Sequence, residues 1–521
     1  MMDATTIPAN NMSFKDFLFK DKRNRTILIL AAIAIVIQFS VFKYFYPFAN
    51  YIHDDSYSYI DAANINATIN TYLIGYSKFL RLFSVFAKPD YMLVAFQYLF
   101  IQSSVLFLLF TLFYFYKIGN IFQAILLGFM VFNPLFLHLA NMISSDGVFL
   151  ALSCIWFALI LWIIYRPSTM AVVIHAIIVF VAFTVRYNAI IYPIISGLAF
   201  YLSKLSIRKK LVGIGLMLLL CGWFIGLTMF QYKKLTGYWQ YSPFSGWQLA
   251  NNAMYTYRYV DSAERKQVPP KYQLLDKMIR EYFDSTRDHK KYYYEDWMAS
   301  TVYMWTPTLS LYKYRNQLFK KDTSATELKK WASMGPFYKE YGLYIIGKYP
   351  IKFLRYFVWP NANKYYAPPI EFFEFYNGNS TVINKVTMLW FGYKNQTIKS
   401  RFKMNKIWVL NFYPILSGLI NLSMVCLLIF FLVLKGWEYK TTFNRGLFIG
   451  TVLWISNAIF TIFASSAALR FQSFPIVLTV IFVTLLTNWM FQMMHILQQE
   501  NSNNSQEAKD IKVEIITDAS F

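Results

Sequence analysis

The chain has 521 residues, of which 57% are hydrophobic, 20% aromatic and only 15% charged, and it carries a formal net charge of +23. These proportions exceed what a soluble globular domain carries and mark a membrane protein. The positive charge does not imply nucleic acid, because a chain embedded in lipid uses many of its cations as topology anchors, and anionic lipid is the better partner.

Apolar stretches close to the length of about 20 residues that crosses a bilayer recur along most of the chain. The first, residues 26–46, is too long for a signal-peptide core and has no small-residue cleavage site after it, so it reads as a retained span. Nine more follow near 91–116, 121–140, 147–165, 170–185, 188–203, 211–230, 408–434, 446–464 and 471–494, giving an all-α polytopic fold of about ten transmembrane helices. Short loops rich in Lys and Arg, such as "FKDKRNR" (19–25), "SKLSIRKK" (203–210) and "LKGWEYKTTFNR" (434–445), fall on one side and assign it to the cytoplasm, with both termini inside. Cys154, Cys221 and Cys426 lie within apolar spans and imply no disulfide or metal cluster.

Between the first two spans, the external loop 47–90 opens with "YIHDDSYSYIDAA". Apolar residues at Ile60, Ala63, Ile69, Leu73, Phe79 and Leu82 recur at spacings that predict juxtamembrane amphipathic helices, broken near Gly75. Residues 1–230 form an N-terminal transmembrane module. Residues 231–407 form a mostly helical external domain rich in Tyr and Trp, 408–494 the C-terminal transmembrane helices, and 495–521 a polar cytoplasmic tail predicted to be disordered.

Charged residues at span ends are costly and tend to be functional. Asp54 and Asp55 follow the first span, Asp146 opens a span in "MISSDGVFLAL", Arg186 sits in "FTVRYNAIIYP", and Arg470 in "SSAALRFQSFPIVL". Each has an ordinary reading: Asp146 as a helix cap, the arginines as snorkelling anchors, the Asp pair as solvated loop. Together, on the predicted topology, they meet at one external interface. A carboxylate can act as general base toward a hydroxyl, and Arg gives bidentate recognition of phosphate. That combination suits attack by an acceptor hydroxyl on a sugar whose leaving group is a lipid phosphate.

The order of these motifs resembles that of the lipid-phosphosugar-dependent glycosyltransferases of the GT-C fold, which include protein O-mannosyltransferases and the aminoarabinose transferases of lipid A. "HDDSY" is similar to the family's acidic pair with an aromatic close behind, with Asp55 where Glu is usual. "IGYSKFLRLFSVF" resembles a "GYP" motif, with Ser77 for Pro, and "LVAFQYLF" a following span that opens with Gln. Ser145–Asp146, Arg186–Tyr187 and "LRFQSFPIVL" complete the series. The resemblance covers the first 230 residues and the last three spans and fades in the external domain. It implies a catalytic role for Asp54, Asp55 and Asp146, with Asp54 as base, and donor-phosphate binding by Arg186 and Arg470. It further implies a polyprenyl-phosphate sugar donor, inversion at the anomeric carbon, and no required cofactor or metal; a divalent ion near His53, Asp54 and Asp55 is the alternative.

Tyr57, Trp247, Gln248 and Asn252 are the candidate acceptor-binding residues, with the aromatic clusters 292–297 and 359–366 as further groove walls, because aromatic faces stack on sugars. Packed core is the competing reading for these rings. The acceptor is left open between glycan, lipid and protein, and the Lys, Asn, Ile, Phe and Tyr bias suggests an AT-rich bacterial genome and hence an inner membrane. A transporter or flippase of a lipid-linked glycan is the alternative function, but the internal repeats and broken helices typical of transporters are not evident. A non-catalytic assembly protein is a third.

Overall fold

The computed structural model describes residues 12–286, 299–402, 405–438 and 443–518. All regular structure among them is helical, with only three isolated β-bridges. A short helix α1 (Phe14–Phe19) precedes α2 (Lys22–Phe45), which Asp21 caps by accepting from the Asn24 amide. The first loop then holds α3 (His53–Asn64) and α4 (Gly75–Phe86). After these come α5 (Asp90–Phe115), α6 (Asn120–Val131), α7 (Pro134–Asn141), α8 (Ser145–Tyr165), α9 (Thr169–Val185), α10 (Tyr192–Leu202) and α11 (Ile207–Thr236).

Among the described residues eight helical stretches are long and apolar enough to cross a membrane: α2, α5, Asn120–Asn141, α8, α11, α17 (Tyr413–Val433), α18 (Phe443–Ala464) and Leu469–His495. Two expected spans are shorter, Thr169–Val185 and Tyr187–Leu202. The second begins as a 3₁₀ turn, Tyr187–Ile191, before Pro193 enters α10 at its first turn. The expected single span at 121–140 is two helices, because Pro134 has no N–H to continue α6 and Asn133 instead caps α7 by accepting from the Leu135 amide.

Contacts between loops show that these helices alternate in direction. At one end the Ala49 amide donates to Asp90 (2.7 Å), and Asn50 pairs through its backbone with Asn141 and Ile143. At the other, Gly119 donates to Asn488, Tyr116 meets Tyr165, and the Gly446 amide donates to Tyr165. Helix α8 and the stretch Leu469–His495, which includes the start of α19 (Ser473–Asp518), are the most enclosed, while α2, α11 and α17 present outward faces of exposed Ile, Leu and Val such as Ile33, Leu219 and Ile415. Helix α19 continues to Asp518 through the stretch expected to be disordered; after Pro475 the chain has neither Gly nor Pro to interrupt it.

The two predicted juxtamembrane helices are present. Gly75 begins α4 rather than breaking a helix, and it permits a close approach: a Cβ there would lie 2.4 Å from the Thr184 hydroxyl and 2.5 Å from its carbonyl oxygen. Leu82, Val85 and Phe86 on α4 point outward as an apolar face.

Within residues 237–412 a second core forms from α12 (Pro243–Tyr257), α13 (Gln273–Ser285) and α14 (Gly335–Lys348) and extends to Phe357, whereas Phe373, Tyr376, Ile383, Phe391 and Ile398 pack into the core of the spans. Further along lie α15 (Trp359–Tyr366) and α16 (Lys385–Phe391). Helices α12 and α14 pack so tightly that a Cβ on Gly246 would fall 1.9 Å from the Gly335 carbonyl oxygen.

Candidate functional site

The site is assembled by pinning three separate loops together. The Asn50 amide donates to the Asn141 carbonyl and the Ile143 amide to the Asn50 carbonyl. Ser56 then locks α3 to the same loop, its hydroxyl donating to the Ile143 carbonyl (2.7 Å) while accepting from the Ile52 amide. This brings the first turn of α3, where Asp55 is stabilised by the helix N-terminus, beside the first turn of α8, which carries Asp146.

Ser144 is the N-cap of α8, accepting from the Asp146 amide, so the Asp146 carboxylate is not needed as a cap. It accepts instead from Ser144 Oγ (2.8 Å) and from Arg186 Nη1, with Arg470 Nη1 at 3.5 Å. Arg186 stands at the C-cap of α9 and also reaches Ser145. Arg470 lies on the 3₁₀ turn Leu469–Gln472, held in place by the Leu469 amide donating to the Pro369 carbonyl. Its Nη1 pairs with Asp55 at 2.7 Å, so a single nitrogen links the two carboxylates. Both arginines point inward, which rules out the snorkelling reading: 7% of the Arg470 side chain is exposed and 16% of that of Arg186. Phe372 and Phe471 flank the Arg470 guanidinium at 4.1 and 4.4 Å.

Two carboxylates and two guanidiniums balance in formal charge, yet both cations keep unused donors. Neither arginine uses Nε or Nη2 in a hydrogen bond among the described residues, and Arg470 Nε is buried without a partner. The two side chains border a small cleft that also takes in Asp146 and is lined by Phe149, Ile191 and Leu453 together with the polar Asn188, Asn457 and Ser473. An anion entering it would meet those free N–H groups beside apolar side chains, where charge-assisted hydrogen bonds are strong.

Asp54 takes a different position. It is exposed and makes no hydrogen bond or ion pair among the described residues. The phenol of Tyr312 in the 237–412 domain is pushed up by burial, with Arg315 opposing and Asp54 adding to the rise, which sets Asp54 toward that domain. The side chain of His53 lies outside the described residues, and among those described no three His, Cys, Asp or Glu side chains group to hold a metal.

The motif residues quoted from the first loop also meet. Tyr76 donates to Gln97 Oε1 (2.9 Å), and Gln97 donates to the Ala140 carbonyl. Both residues are buried and brace the loop from behind rather than entering the cleft.

The acceptor residues expected in the large domain are core instead. Trp247 is fully buried, donates to the Trp331 carbonyl (2.9 Å) and stacks on the Trp331 ring. Gln248 donates to Asn252, whose amide reaches toward the Phe463 carbonyl at the end of α18. Helix α12 packs its apolar and amide face inward here, so these residues join domains and are not presented to a ligand. Tyr57 is half-buried and stacks on Tyr51. The cluster 292–297 lies outside the described residues.

Several contributors carry no obvious mark in the sequence. Tyr72 donates to Asp55; its phenol is held well above its usual range by burial and then by the Asp55 charge, so it remains a donor. Tyr59 bonds Ser145 (3.1 Å). Lys364 donates to the Ala299 carbonyl and Ser466 and lies 3.7 Å from Glu371. The Glu371 carboxyl is pushed up by burial, with Lys364 and Arg470 pulling the other way. Lys364 sits inside the aromatic stretch "WPNANKYY", where the rings draw attention and the lysine does not. No family model, curated protein or solved structure matches the chain.

Proposed function

We propose that the chain is an integral-membrane glycosyltransferase that moves a sugar from a polyprenyl-phosphate donor to an acceptor hydroxyl on the extracytoplasmic face. The observation that carries this reading is the pairing of Arg186 and Arg470, each with free N–H groups, on Asp146 at one cleft, with Arg470 also held by Asp55, the neighbour of the unpaired Asp54. Phosphate of the donor would lie against the two guanidiniums and its prenyl chain along the apolar wall.

The environments of the two adjacent carboxylates divide their labour. Both oxygens of Asp55 are engaged, one by Tyr72 and one by Arg470, so its task is to position Arg470. Asp54 is unpaired and exposed, as a base that must receive a proton requires. The acceptor O–H gives its proton to Asp54 as its oxygen bonds to the anomeric carbon. The bond from that carbon to the phosphate oxygen breaks, and the polyprenyl phosphate leaves with the electron pair, its charge met by Arg186 and Arg470. Attack opposite the leaving group inverts the anomeric centre.

The test is sugar transfer by the purified chain in detergent with native lipid extract, using radiolabelled polyprenyl-phosphate hexoses and pentoses. Replacing Asp54 by Asn should lower the rate by about 10²–10⁴ while the protein stays folded. Donor that is never consumed, together with movement of a lipid-linked glycan between leaflets of liposomes, would replace the enzyme with the transporter.

A further inference from the structure

Residues 350–366 leave the large domain as three helical stretches in unbroken succession: Pro350–Phe353, a π turn Leu354–Val358, and α15. Their path does not stay above the spans. The Tyr366 carbonyl accepts from Asn421 Nδ2 (3.1 Å), and Tyr365 OH meets Asn457 Nδ2 (3.3 Å). Asn421 lies about 12 Å of helix beyond the start of α17, and Asn457 about 10 Å before the end of α18. On α17 the residues between that start and Asn421 include Ile415 and Leu419, 70% and 58% exposed, so Tyr366 reaches a level where the neighbouring span is apolar on its outer face.

The chain then turns back. Residues 367–370, "APPI", carry it up to the Leu469 amide, which donates to the Pro369 carbonyl. Irregular backbone at membrane depth is costly where N–H groups go unpaired. Two of these residues are prolines without an N–H, and the Ala367 amide donates to the Asn363 carbonyl. The π turn is the kind of local irregularity that redirects a helix.

The outward side of this segment is apolar. Ile351 is 79% exposed, Leu354 52% and Trp359 67%, at helical spacing along one face. Lys364 turns inward to its own partners, and exposed Arg355 can carry its guanidinium along the face to headgroups.

We propose that residues 350–370 form a re-entrant segment whose Ile351–Leu354–Trp359 face lies against the acyl chains of the bilayer. Lipid is the occupant because the face continues the outward apolar surfaces of α17 and α18, where Ile455 and Ile459 are also exposed. Through Tyr365, α15 touches Asn457, which lines the cleft, so the segment backs one residue of the cleft wall. This inference rests on the spans and holds whatever reaction the site performs.

Nitroxide labels placed singly at Ile351→Cys, Leu354→Cys and Trp359→Cys, in a Cys426→Ser background that leaves only the buried Cys154 and Cys221, test it in lipid nanodiscs. The collision rates of each label with oxygen and with a water-soluble nickel chelate are compared, using Leu419→Cys and Lys320→Cys as lipid and water references. Oxygen should dominate at all three positions, as at Leu419→Cys. Nickel access like that of Lys320→Cys overturns the proposal, and so does a label that neither reagent reaches, since another protein surface would then cover the face. The three positions are exposed, so a label displaces no core contact.

Discussion

Arg470 holds two carboxylates through one nitrogen, and that economy leaves its other edge available. Asp146 has 2% of its side chain exposed and pairs with both guanidiniums. Removing one partner of a buried pair costs about 3–5 kcal/mol, and Arg470→Ala should lower thermal stability in detergent accordingly. Arg470→Lys is the more informative variant. An ammonium can satisfy Asp55 and Asp146, but it lacks the planar fork that leaves N–H groups free for phosphate. The expected result is a folded protein with near-normal unfolding temperature and strongly reduced donor turnover; equal activity would show that the free edge does not bind phosphate. Asp54→Asn, at an exposed unpaired site, should change stability by less than about 0.5 kcal/mol.

At this scale the sequence was informative where charge interrupted apolar context. Asp55, Asp146, Arg186 and Arg470 stand out for that reason, and the fold unites them. Tyr72 and Trp247 show where such reading stops: an aromatic in an aromatic-rich chain looks the same whether it serves a carboxylate, a core or a surface. Partners make the difference, and these come from loops far apart in the chain.

Among the elements, length and hydropathy foretold the long spans, and single residues decided the rest. Pro134 divided one expected span, and the break at Arg186 shortened its neighbours to 17 residues and fewer. The large domain's helices differ in legibility: α13 shows a regular buried stripe at Leu275, Ile279 and Phe283, whereas α12 is buried over nearly its whole length and so has no polar face to set its period. Their packing depends on positions with no side chain. At Gly246 an added methyl would strike the Gly335 carbonyl oxygen, a backbone atom that cannot rotate away. Gly246→Ala should therefore force α12 from α14 and destabilise the domain by about 1–3 kcal/mol, the usual cost of overpacking. Limited proteolysis of residues 237–412 would report it as faster cleavage, while cleavage unchanged from the parent would mean the helices can separate at no cost.

For the molecule as a whole, the question is how a domain with its own core is fixed to a membrane bundle with another. Asn361 provides the densest link. Fully buried, it donates to the carbonyls of Thr461, Ile462 and Ser465 and accepts from the Ala467 amide (2.9 Å). It thus caps the end of α18 and shapes the turn that leads to Arg470. Asn252 makes a weaker link nearby, a single 3.5 Å approach to Phe463. A buried polar group left unsatisfied costs about 1–3 kcal/mol, and Asn361→Ala orphans several at once. The turn before Arg470 should loosen and the two cores should lose their coupling. Unfolding followed by proteolysis of the large domain and by a reporter in the spans should then give two separated transitions for Asn361→Ala, and nearly coincident ones for Asn252→Ala. Coincident transitions in both variants would place the coupling elsewhere, with Lys364 and its bond to Ser466 the next link to break.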